Sequence, residues 1–185
     1  MATKSDPKQK LLDTASDLFY KQGYNTTGIN QILEESGAAK ASLYLHYGSK
    51  DELGIAYLQN ARKDWFANLH AHNSSYLTNK EKLLGCFDFL EKNMIANDFI
   101  GCKFINMLSE IGNSNESMRV EILGHKSKLR SLFKELSEDI FAGINADNTD
   151  LPYLLFEGAI VESKIYKSPW PIQAAKSIIN SLIKI

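Results

Sequence analysis

Apolar residues recur along most of the chain at the three- and four-residue spacing of an amphipathic helix, and the alternation typical of a strand is nearly absent. The first such run follows Asp6-Pro7, a pair that favours a helix start. Its predicted apolar face consists of Leu11, Leu12, Ala15, Leu18 and Phe19. Gly23 comes just after this run and predicts the end of the helix.

The same signals predict about nine helices, so the expected fold class is all-α. Thr27 is the expected cap of the second helix, which ends at Gly37, and a short third helix covers residues 39–47. Two S/T-x-x-E capping boxes, Ser49–Glu52 and Thr78–Glu81, open the fourth and fifth helices. The others are predicted over residues 101–111, 113–141, 151–167 and from Ser168-Pro169 to the C-terminus.

The first three helices are short and closely spaced, whereas the rest are longer, and this difference predicts two domains. We expect an N-terminal domain over residues 5–65, with a helix-turn-helix at about 28–47, and a C-terminal helical bundle over residues 66–185.

The third helix has the composition of a recognition helix that enters the major groove of DNA. Small residues at Ala39, Ala41 and Ser42 permit close approach to base edges, and Lys40 and Tyr44 supply charge and a hydroxyl group. Leu43 and the residue one turn later, Tyr47, are expected to face inward. Lys50, in the first turn of the fourth helix, is an expected phosphate contact.

Composition limits the remaining possibilities. The 185 residues carry a formal net charge of −1, so any nucleic-acid site must be local. Two cysteines are too few for a disulfide framework, and neither a signal-peptide pattern nor a membrane-length apolar run occurs. We therefore expect a cytoplasmic protein without a membrane partner.

The stretch GYNTTGINQILEESGAAKASLYLHYGSKDEL resembles the DNA-binding domain of the TetR family of bacterial transcription regulators, and the similarity covers about residues 8–60. The resemblance implies double-stranded operator DNA as partner, a two-fold homodimer and a variable C-terminal domain that binds a small-molecule effector. Residues at the family's contact positions are Thr27, Asn30, Ala39, Lys40, Ala41, Ser42, Tyr44, His46 and Lys50. The chain departs from the common pattern at Ala39, Ala41 and Leu45.

Aromatic and sulfur-containing side chains in the C-terminal domain are mostly core, but the resemblance implies that a subset lines an effector cavity. The expected lining is Trp65, Phe66, Leu69, Phe87, Leu90, Met94, Cys102, Phe104 and Phe156, with His70, Asn106 and Glu157 as further polar candidates. Gly101-Cys102 also resembles a pattern in a branch of the family that senses electrophiles or oxidants. Cys102 is therefore either a sensor or a small buried core residue.

Helices eight and nine carry small and apolar residues on one side and are the expected dimer surface. The predicted contacts are Leu151, Leu155, Gly158, Ala159, Glu162, Ala175, Ile178 and Leu182. The alternative is an amphipathic pair buried within one subunit.

We find no HExxH, CxxC, glycine-rich phosphate loop or nucleophile elbow in the sequence, and we assign no catalytic residue, metal ligand or cofactor. The expected function is a ligand-responsive DNA-binding regulator, most often a repressor. The alternatives are a redox sensor that acts through Cys102 and, in another class, a helical adaptor that does not bind DNA.

Overall fold

The computed structural model describes residues 6–112, 115–141 and 149–183, and every regular element within these ranges is a helix. The helices are α1 (Pro7–Lys21), α2 (Ile29–Ser36), α3 (Lys40–His46), α4 (Lys50–Asn73), α5 (Asn79–Ala96), α6 (Lys103–Ile111), α7 (Glu116–Phe141), α8 (Leu151–Tyr166) and α9 (Trp170–Leu182). The predicted all-α fold is confirmed. The predicted start of the seventh helix at Asn113 lies outside the described residues.

Local sequence accounts for several helix ends. The Asp6 carboxylate accepts the Lys8 amide at 3.0 Å and caps α1, with Pro7 as first helical residue. Thr78 and Glu81 form the reciprocal capping box that opens α5. Gly37 ends α2 in the left-handed conformation, with φ of 64°, which glycine adopts without strain.

One predicted cap is wrong. The N-cap of α2 is Gly28 rather than Thr27, so α2 begins one residue later than the polar side chain suggested. The predicted start of α9 at Ser168-Pro169 agrees with the structure, in which Pro169 is the N-cap and no side chain caps the helix.

The chain forms two compact units. The first consists of the described residues of Met1–Lys63 with Lys103–Leu123, and the second of Asp64–Cys102 with the described residues of Gly124–Ile185. The sequence places residues 103–123 in the C-terminal domain, whereas in the structure they group with α1, α2 and α3. The functional division into DNA-binding and effector domains stays a prediction.

In the first unit α1 packs against both α2 and α3, and the buried apolar residues include Leu11, Phe19, Ile32, Leu43 and Tyr57. In the second unit α9 packs against α5 and α8. Its core holds a large group of apolar side chains, among them Leu83, Phe87, Phe133, Phe156, Ile172 and Ile179.

Candidate nucleic-acid interface and effector region

Helices α2 and α3 form the predicted helix-turn-helix, and two buried side chains hold α3 in place. Leu43 is fully buried, and Tyr47, the C-cap residue of α3, is nearly so, which confirms that both face inward. The Tyr47 hydroxyl donates to the Lys8 carbonyl of α1 at 2.8 Å. Contacts on the buried side of α3 thus fix its orientation, and its opposite face stays accessible to a partner.

That open face carries the predicted contact residues of α3. Ala39, Lys40, Ala41 and His46 are exposed, Tyr44 is 48% exposed, and Ser42 is half-buried. Asn30 is exposed near the start of α2. Small residues therefore stand at the surface of α3 where a groove wall would approach, with longer polar side chains beside them.

Lys50, the first residue of α4, lies with its ammonium group 4.3 Å from the centre of the Tyr24 ring. Partial burial lowers the pKa of Lys50, and the nearby carboxylates of Asp51 and Glu110 offset part of that effect. The aromatic ring restricts where the cation can point, so Lys50 is a preorganised positive group rather than a freely moving one.

Thr27 is fully buried, and its hydroxyl donates to the Gly23 carbonyl at 2.6 Å while accepting from the Gln22 amide at 3.1 Å. Its side chain therefore stabilises the turn between α1 and α2. A phosphate contact by Thr27 stays a prediction that the structure does not test.

The α1–α2 turn is also held by α6, through contacts that the sequence gave no signal for. The Asn25 amide donates to Glu110 Oε2 at 2.7 Å, and Asn25 Nδ2 donates to the Glu110 carbonyl at 2.9 Å. Gly23, with φ of 99°, lies so close to Glu110 that an added Cβ would sit 2.8 Å from Oε1. The positive φ favours glycine at this position, and a larger residue would also displace the Glu110 carboxylate that Asn25 holds.

Asp51 connects three elements of the same unit. The Tyr24 hydroxyl donates to one carboxylate oxygen, and Asn115 Nδ2 donates to the other at 2.9 Å. Asn115 Oδ1 in turn accepts the Met118 amide at 3.0 Å in the first turn of α7. Burial and the bond to Asp51 raise the pKa of Tyr24, which keeps its hydroxyl protonated as a donor.

Most residues of the expected effector cavity lie together in the second unit. Leu69, Phe87, Leu90, Met94 and Phe156 belong to its buried core, and Trp65, Phe66 and Cys102 pack against that core as partly buried neighbours. Phe104 is buried but belongs to the first unit. An open concavity of about 530 Å³ borders this core and is lined by Phe66, Leu69, His70, Lys82, Lys128 and residues beside them.

A partly buried charged cluster accompanies these aromatic rings. Lys126 Nζ lies 2.6 and 2.8 Å from the two carboxylate oxygens of Glu157 and 3.6 Å from Cys102 Sγ. Burial lowers the pKa of Lys126, but electrostatic interactions with Cys102 and Glu157, together with the hydrogen bond to Glu157, outweigh this and raise it overall. The sequence indicated Cys102 and Glu157 but not Lys126, because a lysine in α7 has no pattern that reveals its partner.

The other cysteine, Cys86, is fully buried, and burial raises the pKa of its thiol to about 12. It accepts a long contact of 3.8 Å from Asn73 Nδ2. A buried thiol with a raised pKa is unreactive at neutral pH.

The expected dimer residues divide into two groups. Ala159 and Ala175 are buried in the core of the second unit, and Leu151, Leu155 and Leu182 are half-buried. Gly158, Glu162 and Ile178 are exposed. Further exposed apolar side chains on the same two helices are Leu154, Val161, Ile165 and Trp170. These helices thus pack partly within the subunit and leave an apolar face uncovered.

The described ranges contain no group of three or more His, Cys, Asp or Glu side chains that could hold a metal ion. No helix among them is both long and apolar enough to cross a membrane.

Comparison with known proteins identifies related transcription regulators. Residues 11–57 match the family model described as bacterial regulatory proteins of the tetR family. The HTH-type transcriptional regulator YxaF of Bacillus subtilis is 52% identical over 56 residues, which span 30% of this chain and 29% of that protein. The HTH-type transcriptional repressor NemR of Escherichia coli K12 is 22% identical over 98% of this chain and 96% of its own.

A solved structure agrees over the whole chain. The TetR transcriptional regulator from Legionella pneumophila superimposes with a TM-score of 0.81 at 22% identity, covering 98% of both chains. The matched proteins are DNA-binding transcription regulators and not enzymes. Residues 11–57 therefore form a DNA-binding domain of the TetR family of bacterial regulatory proteins, and the chain has the fold of a solved TetR transcriptional regulator.

Proposed function

We propose that this protein is a ligand-responsive repressor that binds a palindromic operator as a homodimer and is released by a small apolar effector. The observation that carries the proposal is the exposed, small-residue face of α3 beside the fixed Lys50 cation. This pairing suits a helix that inserts into a major groove while a neighbouring lysine contacts the phosphate backbone.

The proposed effector is apolar because the second unit offers many aromatic side chains and few polar ones. Phe87 packs edge to face on Phe133 and Phe156, and the Phe133 and Phe156 rings are tilted against each other, with ring centres 4.9–6.2 Å apart. The Trp65 ring centre lies 6.5 Å from that of Phe156. A mostly apolar lining with a few polar groups is what small-molecule sites typically offer. The effector can release DNA only if it binds the DNA-free form more tightly.

Operator binding is tested with Tyr44→Ala and Lys50→Ala in gel-shift titrations against a duplex selected from a random library. We expect each variant to lose about 1–3 kcal/mol of binding free energy with unchanged helical content. Lys50→Ala should weaken all duplexes alike, whereas Tyr44→Ala should change sequence preference. If the wild-type protein enriches no duplex, the helical-adaptor alternative replaces the proposal.

The homodimer is proposed to form through the uncovered faces of α8 and α9. Gly158 is exposed, and a Cβ added there meets no atom within 4 Å in the subunit. Gly158→Trp should therefore leave the subunit folded and block close approach of a partner helix. Light scattering at micromolar concentration should give a dimer for wild type and a smaller species for the variant, and a monomeric wild type would contradict the interface.

A second candidate function, redox or electrophile sensing through Cys102, is favoured by the Lys126 ammonium at 3.6 Å from its sulfur. A nearby cation stabilises a thiolate and so promotes its reactivity. In operator-release assays with an electrophile such as N-ethylmaleimide, Cys102→Ser should resist release while it still binds operator. If Cys102→Ser is released like wild type, the cysteine is a core residue.

A further inference from the structure

Leu45 is the most exposed large apolar side chain of α3, with 79% of its surface open to solvent. It follows the buried Leu43 by two positions, which places it about 200° around the helix, on the side opposite to the core. Packing among the described residues of the first unit therefore covers only a small part of this leucine.

The surroundings of Leu45 differ from an ordinary solvated helix face. Ala41 lies one turn earlier on the same outward line, with Ser42 and Tyr44 on either side. By contrast, the outward residues of α1 are charged or polar, for example Lys10, Asp13 and Asp17. The centre of the outward α3 face is therefore small and apolar, and its polar groups stand at the margins.

We propose that Leu45 reads the C5-methyl group of a thymine in the major groove, and so makes a T·A pair part of the preferred half-site. The proposal rests on operator binding by α3. The thymine methyl is the apolar group that base pairs present in the major groove, and the other groups there are hydrogen-bond donors and acceptors. A leucine side chain cannot form a hydrogen bond with any of those. Ala41, one turn before, leaves the space that lets the leucine side chain reach the groove floor.

The experiment removes the methyl group without changing base pairing. Duplexes are first selected from a random library by wild-type protein, and each thymine of one half-site is then replaced singly by deoxyuridine. At one thymine position, this replacement should weaken wild-type binding about 3- to 10-fold, which is the contribution expected from burying one methyl-sized group. Leu45→Ala should bind the thymine and uracil forms of that duplex with equal affinity.

Leu77→Ala is the matched control, because Leu77 is an equally unpacked leucine, 90% exposed, in the second unit. This control should discriminate thymine from uracil as wild type does. Two results would overturn the role of Leu45 but leave operator binding intact. In one, wild type binds a selected duplex equally well after every thymine-to-uracil replacement. In the other, Leu45→Ala still discriminates thymine from uracil. Failure to enrich any duplex instead overturns the proposed function.

Discussion

Replacing Glu110 by alanine tests whether α6 positions the DNA-binding helices. Glu110 receives two hydrogen bonds from Asn25, one to its carboxylate at 2.7 Å and one to its backbone carbonyl at 2.9 Å. Glu110→Ala removes the first and retains the second. The turn that Asn25 belongs to leads directly into Gly28, the N-cap of α2.

The expected loss of stability follows from the kind of bond removed. Hydrogen bonds to charged groups contribute about 1.5–3 kcal/mol when shielded, and this one is solvent-exposed, so about 1 kcal/mol is a reasonable expectation. For a chain of this size, that corresponds to a decrease of about 2–4 °C in the melting temperature.

Two effects of Glu110→Ala on operator affinity have opposite signs. Removing a carboxylate that acts electrostatically on Lys50 should favour binding to phosphates, whereas loosening the α1–α2 turn should misplace α2 and α3. At physiological salt the charge effect is largely screened. We therefore expect positioning to dominate, with affinity reduced about 3- to 10-fold.

Glu116→Ala separates the two effects, because the Glu116 side chain is 84% exposed and its ion pair with Arg119 is long at 3.9 Å. It removes the same charge from the same unit without touching the turn. Thermal melts followed by circular dichroism and fluorescence-anisotropy titrations with a selected duplex give both quantities. Equal behaviour of Glu110→Ala and Glu116→Ala in both assays would refute the positioning role, and Glu110→Gln, which keeps an acceptor, should recover most of the loss.

Three further predictions concern the second unit. Lys126→Met should destabilise the protein by about 2–4 kcal/mol, since it leaves the Glu157 carboxylate partly buried without its cation, and the Lys126→Met/Glu157→Met double variant should recover much of this in urea denaturation. Folding raises the pKa of Lys126 above its ordinary 10.5. The stabilisation from the charged Lys126 should therefore be fully present below pH 10.5 and be lost as pH rises through the folded pKa. Lys126→Met should lack this decrease. Gly85→Ala should lower the free energy of unfolding by about 1–2 kcal/mol in the same assay, although alanine has the better helix propensity. The reason is that its Cβ would lie 2.5 Å from both Asn73 Oδ1 and the Tyr76 ring. An unchanged denaturation midpoint would show that these side chains move aside freely.

The sequence alone determined the helices, the helix-turn-helix and the inward-facing residues of α3. These features depend on interactions within a few positions: capping groups, apolar spacing and the left-handed residue at Gly37. The same local signals misplaced the start of α2 by one residue, because the Thr27 hydroxyl donates backward to the Gly23 carbonyl instead of capping the helix that follows.

Only the tertiary structure decided which distant residues meet. Asn25 and Glu110 are separated by 85 positions, and Lys126 and Glu157 by 31, so no periodicity connects either pair. The grouping of residues 103–123 with the N-terminal helices likewise depends on such contacts. A hydrogen bond or ion pair across such separations forms only where packing brings the two backbones together, and that packing depends on the whole core rather than on either residue.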